Sequence, residues 1–153
     1  MKITSKADYA LHAMIYISAV NGDHPASINE ISQAESIPRE YLAKILKELV
    51  LAGLLKSQRG IFGGYYLSRP RKEYTFLEVI EAIDGPVYPA ICTKPENKRV
   101  GHRKGKCPAF SYFEDIRKKL CKDLGAISLG DIPYEKFYRP VIGRVDPTKK
   151  FAI

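Results

Sequence analysis

The segment from Ser27 to Leu49 constrains the fold most strongly, because it predicts two short helices joined by a tight turn. Ser27 and Glu30 have the spacing of a capping box, which predicts a helix from Ile28 to about residue 34. Pro38 suits the first position of the next helix, where a missing N–H costs nothing. The second helix combines an apolar face with basic residues elsewhere, which is typical of a helix-turn-helix. Its apolar positions are Leu42, Ile45, Leu46 and Leu49.

A glycine-rich hairpin is predicted directly after these two helices. Residues 54–59 and 65–68 have the character of two short strands, separated by a turn. Gly60, Gly63 and Gly64 in and beside the turn supply the positive φ that a tight hairpin requires. A hairpin in this position is the wing of a winged helix-turn-helix.

Two further helices are predicted on either side of this unit. Residues 5–20 are apolar nearly all round, which indicates a helix that packs on its own domain and also meets a partner chain. Asp8 and His12 are the main polar residues of that helix, and a spacing of four places them on one face. A second capping box at residues 75–78 opens another helix, which ends before Gly85 and Pro86.

The second half of the chain predicts an irregular loop and then a long amphipathic helix. Residues 86–106 show no apolar rhythm and carry seven basic residues. Cys107 and Pro108 then open a helix with Cys107 at its N-cap, and a long helix after a winged helix commonly dimerises. The sequence therefore predicts a mainly α fold with a small β-hairpin. Its four parts are a winged helix-turn-helix DNA-binding domain (1–85), a cysteine-bearing loop (86–106), a dimerisation helix (107–125) and a C-terminal tail (126–153).

The distribution of charge matters more than the net charge of +8. Residues 1–85 hold ten basic and ten acidic side chains, so the excess lies in residues 86–153. Between Arg39 and Lys72, however, eight basic residues face only Glu40 and Glu48. A local basic stripe of this kind favours binding to phosphates.

Composition and missing motifs exclude several other classes of protein. The 153 residues are 45% hydrophobic and 27% charged, as in globular domains, and contain neither an apolar run that would span a bilayer nor a signal peptide. We therefore expect a cytoplasmic protein with no membrane partner. The sequence has no phosphate loop, nucleophile elbow or catalytic zinc motif, so we expect no enzymatic activity. Three widely spaced cysteines do not form a secreted disulfide framework and instead indicate metal or redox chemistry.

Four side chains are candidate metal ligands. Asp8 and His12 form either a ligand pair, an Asp–His hydrogen bond or a pair that faces solvent. A thiol at a helix N-terminus is the reactive, metal-binding kind, which favours Cys107 as a ligand over a free exposed cysteine; Cys92 is its partner in the loop. Cys121 lies fourteen residues into the same helix, on the order of 21 Å from Cys107 at 1.5 Å per residue, so one small cluster does not bridge the two. His102 is a rival ligand, but its basic neighbours favour a solvated loop residue.

Five short strings between residues 4 and 85 carry a family resemblance. They are Thr4-Ser5-Lys6 with Tyr9-Ala10, Tyr41-Leu42, Ala52-Gly53-Leu54, Ser57-Gln58-Arg59-Gly60 with Gly63-Gly64-Tyr65, and the stretch from Thr75 to Gly85. Together they resemble the Rrf2 family of bacterial winged-helix repressors and activators, over residues 1 to about 125. The resemblance implies a homodimer that binds a palindromic operator in double-stranded DNA.

The same resemblance implies roles for residues of the second helix and of the wing. Arg39, Tyr41 and Lys44 are expected to face the major groove. Arg59 resembles the wing residue that enters the minor groove. Phosphate contacts are expected from Ser57 and from the backbone amides of Gly60, Gly63 and Gly64.

The resemblance also implies an iron–sulfur cluster. Many family members bind one through three closely spaced cysteines, of which this chain has only the first and last, Cys92 and Cys107. A smaller group holds a two-iron cluster with two cysteines of one chain and a carboxylate and histidine from the first helix of the other. Asp8 and His12 resemble that pair, so the implied function is transcription regulation switched by a redox-sensitive [2Fe–2S] cluster. The alternatives are a regulator of the same fold gated by a partner protein or small molecule, and a structural zinc site on the same residues.

Overall fold

The computed structural model of the chain describes residues 2–20 and 24–138, which are mainly helical with one two-stranded hairpin. The helices and strands, in chain order, are α1 (Ser5–Ala19), α2 (Ile28–Glu35), α3 (Arg39–Leu51), β1 (Leu55–Gln58), β2 (Gly64–Leu67), α4 (Phe76–Asp84), α5 (Phe110–Ala126) and α6 (Tyr134–Phe137). Short 3-10 turns lie at Arg71–Glu73, Ile91–Thr93, Val100–His102 and Leu129–Asp131. Among the described helices, none combines the length and the apolar character needed to span a bilayer.

Helix α1 is the centre of the packed core. The helix packs against α2, α3 and α4, and its buried side chains include Ala10, Ala13, Met14 and Ile17. Several of its faces are therefore covered, as its sequence predicts. Thr4 caps its N-terminus by accepting a hydrogen bond from the Ala7 N–H at 3.1 Å. The helix thereby holds a fixed position from which its polar side chains project.

The predicted capping box of α2 is present in full, whereas the predicted start of α3 is one residue early. The Ser27 hydroxyl accepts from the Glu30 N–H, and the Glu30 carboxylate accepts from the Ser27 N–H. Helix α2 ends at Ser36, which adopts a left-handed conformation with φ 54°. Pro38 is at the N-cap of α3, because its extended ψ of 126° keeps it outside the helix. The two helices and this turn form the predicted helix-turn-helix.

The wing is an antiparallel hairpin in which Leu55 pairs with Leu67 and Gln58 with Gly64. Gly64 is required here, since a Cβ on it would lie 2.5 Å from the carbonyl oxygen of Ala26. That close approach allows Ala26 and Tyr65 to exchange two backbone hydrogen bonds, of 2.9 and 2.8 Å. The hairpin is therefore fixed to the loop before α2.

Only half of the second predicted capping box forms. Thr75 accepts from the Glu78 N–H at 3.1 Å, but the Glu78 carboxylate pairs with Arg69 instead of returning to the Thr75 N–H. A guanidinium is a stronger partner for a carboxylate than a backbone amide, which explains the difference. The helix nevertheless ends at Asp84 with Gly85 as its C-cap, so it stops before Gly85 and Pro86 as predicted.

Helix α5 begins at Phe110, so the prediction that Cys107 occupies its N-cap is wrong. The Cys107 carbonyl accepts from the Phe110 N–H at 3.1 Å, which closes a turn ahead of the helix and leaves Ala109 at the N-cap. No residue of α5 is buried in the chain. The helix packs through Leu120, Cys121 and Leu124 against a small apolar cluster of Ala7, Ile80 and Val87.

The described part of the predicted tail packs on its own chain. Leu129 and Tyr134 are fully buried, and the Tyr134 hydroxyl donates to the Leu129 carbonyl at 2.8 Å. Residues 75 and 128 also form an antiparallel bridge. Residues 139–153 of the predicted tail lie outside the described residues.

Candidate nucleic-acid interface and candidate metal centre

The candidate base-contacting residues lie on the N-terminal half of α3. Arg39 and Lys44 are exposed, and no described acidic side chain lies within ion-pairing distance of either. Tyr41 is half-buried, because its ring packs edge-on against Tyr9 of α1 with centroids 5.8 Å apart. This end of α3 therefore offers two cations and a tyrosine held in place by α1.

The wing presents Ser57, Arg59 and Gly60 to solvent. The Gly63 N–H donates to the Gly60 carbonyl at 3.0 Å, so this amide is engaged within the turn. A Cβ on Gly63 would clash with the backbone of Gln58 and Arg59, so the turn requires glycine at this position as well. Gly63 and Gly64 thus shape the wing by allowing close packing. The prediction that they supply positive φ is wrong, because only Gly60 of the three wing glycines has it, with φ 112°.

The sequence patterns did not predict a role for two apolar side chains at the tip of the wing. Ile61 is 98% exposed and Phe62 83% exposed. A signal was present in the sequence, since two large apolar residues rarely occupy the middle of a solvated turn. They directly follow Arg59 and Gly60, two of the candidate DNA contacts, in the sequence.

Asp8 and His12 project from one face of α1, with side chains 58% and 50% exposed. His12 Nε2 lies 3.8 Å from Asp8 Oδ1, which is longer than a hydrogen bond. His12 Nδ1 instead lies 3.1 Å from Glu35 Oε2 at the end of α2. The partner of His12 is therefore Glu35, which the sequence did not single out, since residues 23 positions apart share no periodicity.

Glu35 joins α1, α2 and the C-terminal segment. Its side chain is only 10% exposed, and its second oxygen accepts a hydrogen bond from the Tyr138 hydroxyl at 2.8 Å. Burial and this carboxylate together raise the pKa of Tyr138. Burial, with smaller contributions from Glu30 and Glu35, raises the pKa of Tyr16 to about 12. Both phenols stay neutral near pH 7 and act as hydrogen-bonding or packing groups.

Cys92 and Cys107 meet at the base of the loop. Cys92 is buried in the 3-10 turn Ile91–Thr93, and Cys107 is half-buried just before α5. Burial raises the pKa of the Cys92 thiol, and the nearby Cys107 thiol acts in the same direction. The structure thus brings the two predicted cysteine ligands together, beside a cleft lined by the four basic residues Lys94, Lys98, Arg103 and Lys104.

The two candidate donor pairs do not combine within one chain. Among residues 2–20 and 24–138, no group of three or more His, Cys, Asp or Glu side chains is arranged to hold a metal ion. Cys121 packs against the apolar cluster under α5, in agreement with its exclusion as a ligand. His102 is exposed, as expected of a solvated loop residue. Within the described part of the chain, the Asp8–His12 pair and the Cys92–Cys107 pair are therefore separate.

Comparison with known protein sequences matches this chain to transcriptional regulators. The model of the Rrf2 family, described as iron-dependent transcriptional regulators, matches residues 3–135. The regulator IscR of Photorhabdus laumondii is 31% identical over 152 residues, which covers 99% of this chain and 91% of that protein.

Solved structures of regulators superpose well on this chain. CymR, the global cysteine regulator of B. subtilis, superposes with a TM-score of 0.69 at 29% identity, covering 86% of this chain and 95% of that one. IscR of T. potens has a TM-score of 0.70 at 25% identity, covering 86% and 85%. The chain therefore belongs to the Rrf2 family of winged-helix, DNA-binding transcriptional regulators and is not an enzyme.

Proposed function

We propose that this chain is a homodimeric regulator whose affinity for a palindromic operator is set by the redox state of a [2Fe–2S] cluster. Asp8 and His12 of one chain and Cys92 and Cys107 of its partner are the proposed ligands. The observation that carries the proposal is that four suitable ligands form two pairs within the chain, Asp8 with His12 and Cys92 with Cys107. Neither pair is joined by a third described side chain that would complete a metal site.

Homodimerisation is supported by surfaces that one chain leaves uncovered. Helix α5 buries none of its residues, and Tyr112 and Ile116 on it are 72% and 50% exposed. Removing such side chains from water stabilises an association by roughly 25 cal/mol per Å² of apolar surface. A second copy on α5 would therefore bring the cysteines before α5 into the neighbourhood of another chain.

The donor set fits an iron–sulfur cluster with mixed ligands. Cys92 and Cys107 would supply thiolates, which bind iron, and the proximity of the two thiols supports this role. Nδ1 of His12 contacts Glu35, so Nε2, on the side of Asp8, is available to bind a metal ion. Histidine ligation raises the reduction potential of such a cluster above that of an all-cysteine one.

Glu35 orients the proposed histidine ligand. A carboxylate that accepts from the second ring nitrogen fixes the tautomer and the ring orientation of a metal-binding histidine. Glu35 is also the last residue of α2 in the helix-turn-helix. The same side chain thus contacts the proposed ligand and belongs to the DNA-binding unit.

Contacts between α1 and α3 connect the proposed ligands to the DNA-binding surface. Tyr9, which follows Asp8 in the sequence, packs its ring against that of Tyr41 with centroids 5.8 Å apart, and Lys6 pairs with Glu48 at 2.6 Å. A small shift of α1 is therefore transmitted to α3, since packed helices move as units. We infer that the ligand-bearing face of α1 sets the position of α3 in this way.

Metal and sulfide analysis of anaerobically purified protein tests the cluster. We expect iron and acid-labile sulfide in equal amounts, and their loss together with the visible absorption in the variants His12→Ala and Cys107→Ala. Cys121→Ala is the matched control, because Cys121 packs against the apolar cluster of Ala7, Ile80 and Val87, and it should retain the full spectrum. Protein with neither iron nor sulfide, or a full spectrum in His12→Ala, would contradict the proposal.

A mixed dimer tests whether the ligands come from two chains. The double variants Asp8→Ala/His12→Ala and Cys92→Ala/Cys107→Ala should each bind no cluster. Once the two are mixed into heterodimers, a site shared between chains leaves one complete site per dimer and restores half of the iron. Ligands from a single chain would give no restoration.

The similarity to CymR favours a second candidate, a regulator of the same fold that responds to a ligand or partner protein without a cluster. In that case the Cys92–Cys107 pair would remain metal-free and the anaerobic protein colourless. A structural zinc on the same residues is separated by the same analysis, which would then find zinc without sulfide.

A further inference from the structure

We propose that the tip of the wing, Ile61 and Phe62, makes apolar contact with the deoxyribose walls of the DNA minor groove. This inference rests on the proposed DNA-binding surface and adds a contact that the basic residues do not provide. Both side chains project almost entirely into solvent, with exposures of 98% and 83%. Apolar surface presented so completely at a fixed position usually serves a contact.

The tip is built as a defined shape. The hairpin has a fixed register from Leu55–Leu67 to Gln58–Gly64, and the Gly63 N–H closes the turn onto the Gly60 carbonyl at 3.0 Å. The base of the hairpin is also tied to the core by the Ala26–Tyr65 bridge. A short, anchored hairpin with two apolar residues at its end has the form of a wedge.

The charges around the tip favour DNA over a second protein surface. The only charged side chains between residues 55 and 67 are Lys56 and Arg59, both exposed and both basic. Gly60 and Gly63, on either side of the apolar pair, lack side chains that would hold a phosphate backbone away. Proteins that enter the minor groove combine arginine or lysine with apolar wedges such as Ile and Phe in this manner.

The apolar contact differs from the phosphate contacts in its dependence on salt. Each neutralised phosphate steepens the fall of affinity with salt concentration, whereas apolar contact leaves that slope unchanged. Loss of Ile61 and Phe62 should therefore weaken binding equally at all salt concentrations. This signature separates the wedge from Arg59 on the same hairpin.

The test uses the full-length protein and a duplex selected from a random-sequence pool by the unmodified chain. For Ile61→Ser/Phe62→Ser we expect an affinity about tenfold lower, as burial of roughly 55 Å² of their apolar surface at about 25 cal/mol per Å² implies, with an unchanged salt slope. Hydroxyl-radical footprinting, which reports on deoxyribose in the minor groove, should show one protected patch lost in each half-site and the rest retained. Leu51→Ser is the matched control, since Leu51 is also largely exposed but lies at the C-terminal end of α3.

The outcomes separate failure of the wedge from failure of the DNA-binding proposal. If the unmodified chain selects no duplex, the proposed function itself fails. If it selects one and the double variant binds equally well with an identical footprint, the wedge is wrong and the tip is free for another partner. A reduced affinity accompanied by a flatter salt slope would also overturn the proposal, because the loss would then be of phosphate contacts.

Discussion

The winged-helix region (residues 2–85) and the cysteine region (residues 86–126) are stabilised in different ways. The first buries a continuous core, in which Met14, Ile45 and Leu46 are fully inaccessible. The second contains two 3-10 turns and a 17-residue helix without one buried residue. The winged-helix region therefore has a core that is closed within one chain, with Leu129 of the C-terminal segment as part of it, whereas we expect the cysteine region to gain further contacts in the proposed dimer.

Truncation of a core residue in the winged-helix region should have the largest effect on stability. Leu46 is fully buried in α3, so Leu46→Ala removes packing that a rigid core does not restore. We expect the free energy of unfolding to fall by about 2–5 kcal/mol, measured by urea denaturation. A loss below about 1 kcal/mol would show that this core is loosely packed and would break the comparison.

Loss of Arg59 should weaken DNA binding by about 1–3 kcal/mol while the fold remains intact. Arg59 is exposed, and its removal leaves the hairpin register untouched. Fluorescence anisotropy with a selected duplex measures the effect, and Lys47→Ala is the control, since we expect Lys47 to belong to a solvated face. Equal affinity of Arg59→Ala and the unmodified chain would remove Arg59 from the interface.

Local sequence patterns predicted the winged-helix region because each of its elements has its own signal. The capping box of α2, the periodicity of α3 and the glycines of the wing all act over a few residues. The cysteine region lacks such signals, and the predicted N-cap at Cys107 was wrong because Pro108 permits a helix start without requiring one. Glu35 and Tyr138 were missed for a related reason, since their contact joins residues 103 positions apart and depends on tertiary packing.

Replacement of Glu35 tests whether this residue of the winged-helix region affects the proposed cluster. Glu35→Gln keeps the size of the side chain but removes the negative charge beside His12. If Glu35 orients a cluster ligand, the affinity for iron should fall about 10- to 100-fold, and the electron paramagnetic resonance of the reduced cluster should shift. Glu40→Gln, an exposed carboxylate on α3, is the control.

A structural role for Glu35 alone would give a different result. Urea denaturation of the metal-free Glu35→Gln protein would then show a lower free energy of unfolding. The spectrum of the protein with its cluster bound would stay unchanged. The two measurements together assign Glu35 to one role or the other.

Replacement of an apolar residue on α5 by a polar one should lower the stability of the proposed dimer more than it lowers the free energy of unfolding. Ile116 is half-exposed, so Ile116→Ser removes surface that only a partner would cover. We expect a weaker dimer by about 1 kcal/mol per chain in sedimentation equilibrium, with little change in the unfolding of the winged-helix region. Lys118→Ser is the control, and equal dimer affinities for the two variants would place the interface elsewhere.

The smallest predicted effect concerns a polar atom in the core that lacks a hydrogen-bond partner among the described residues. The Tyr16 hydroxyl is buried and has no hydrogen-bond partner among the described residues. Tyr16→Phe removes this unsatisfied group and should stabilise the protein by about 1 kcal/mol at pH 7. Lower stability of the variant would reveal a partner outside the described residues.

The same substitution should change the response to alkaline pH. The pKa of Tyr16 is raised from 10.0 to about 12 in the folded chain, so the neutral phenol is favoured by folding. The resulting stability is fully present below pH 10 and is lost as the pH rises toward 12, because the unfolded chain ionises first. Urea denaturation between these values should therefore show a shallower decline for Tyr16→Phe. Tyr112→Phe, at an exposed position on α5, should follow the unmodified chain, and a common slope for all three proteins would mean that Tyr16 ionises as freely when folded as when unfolded.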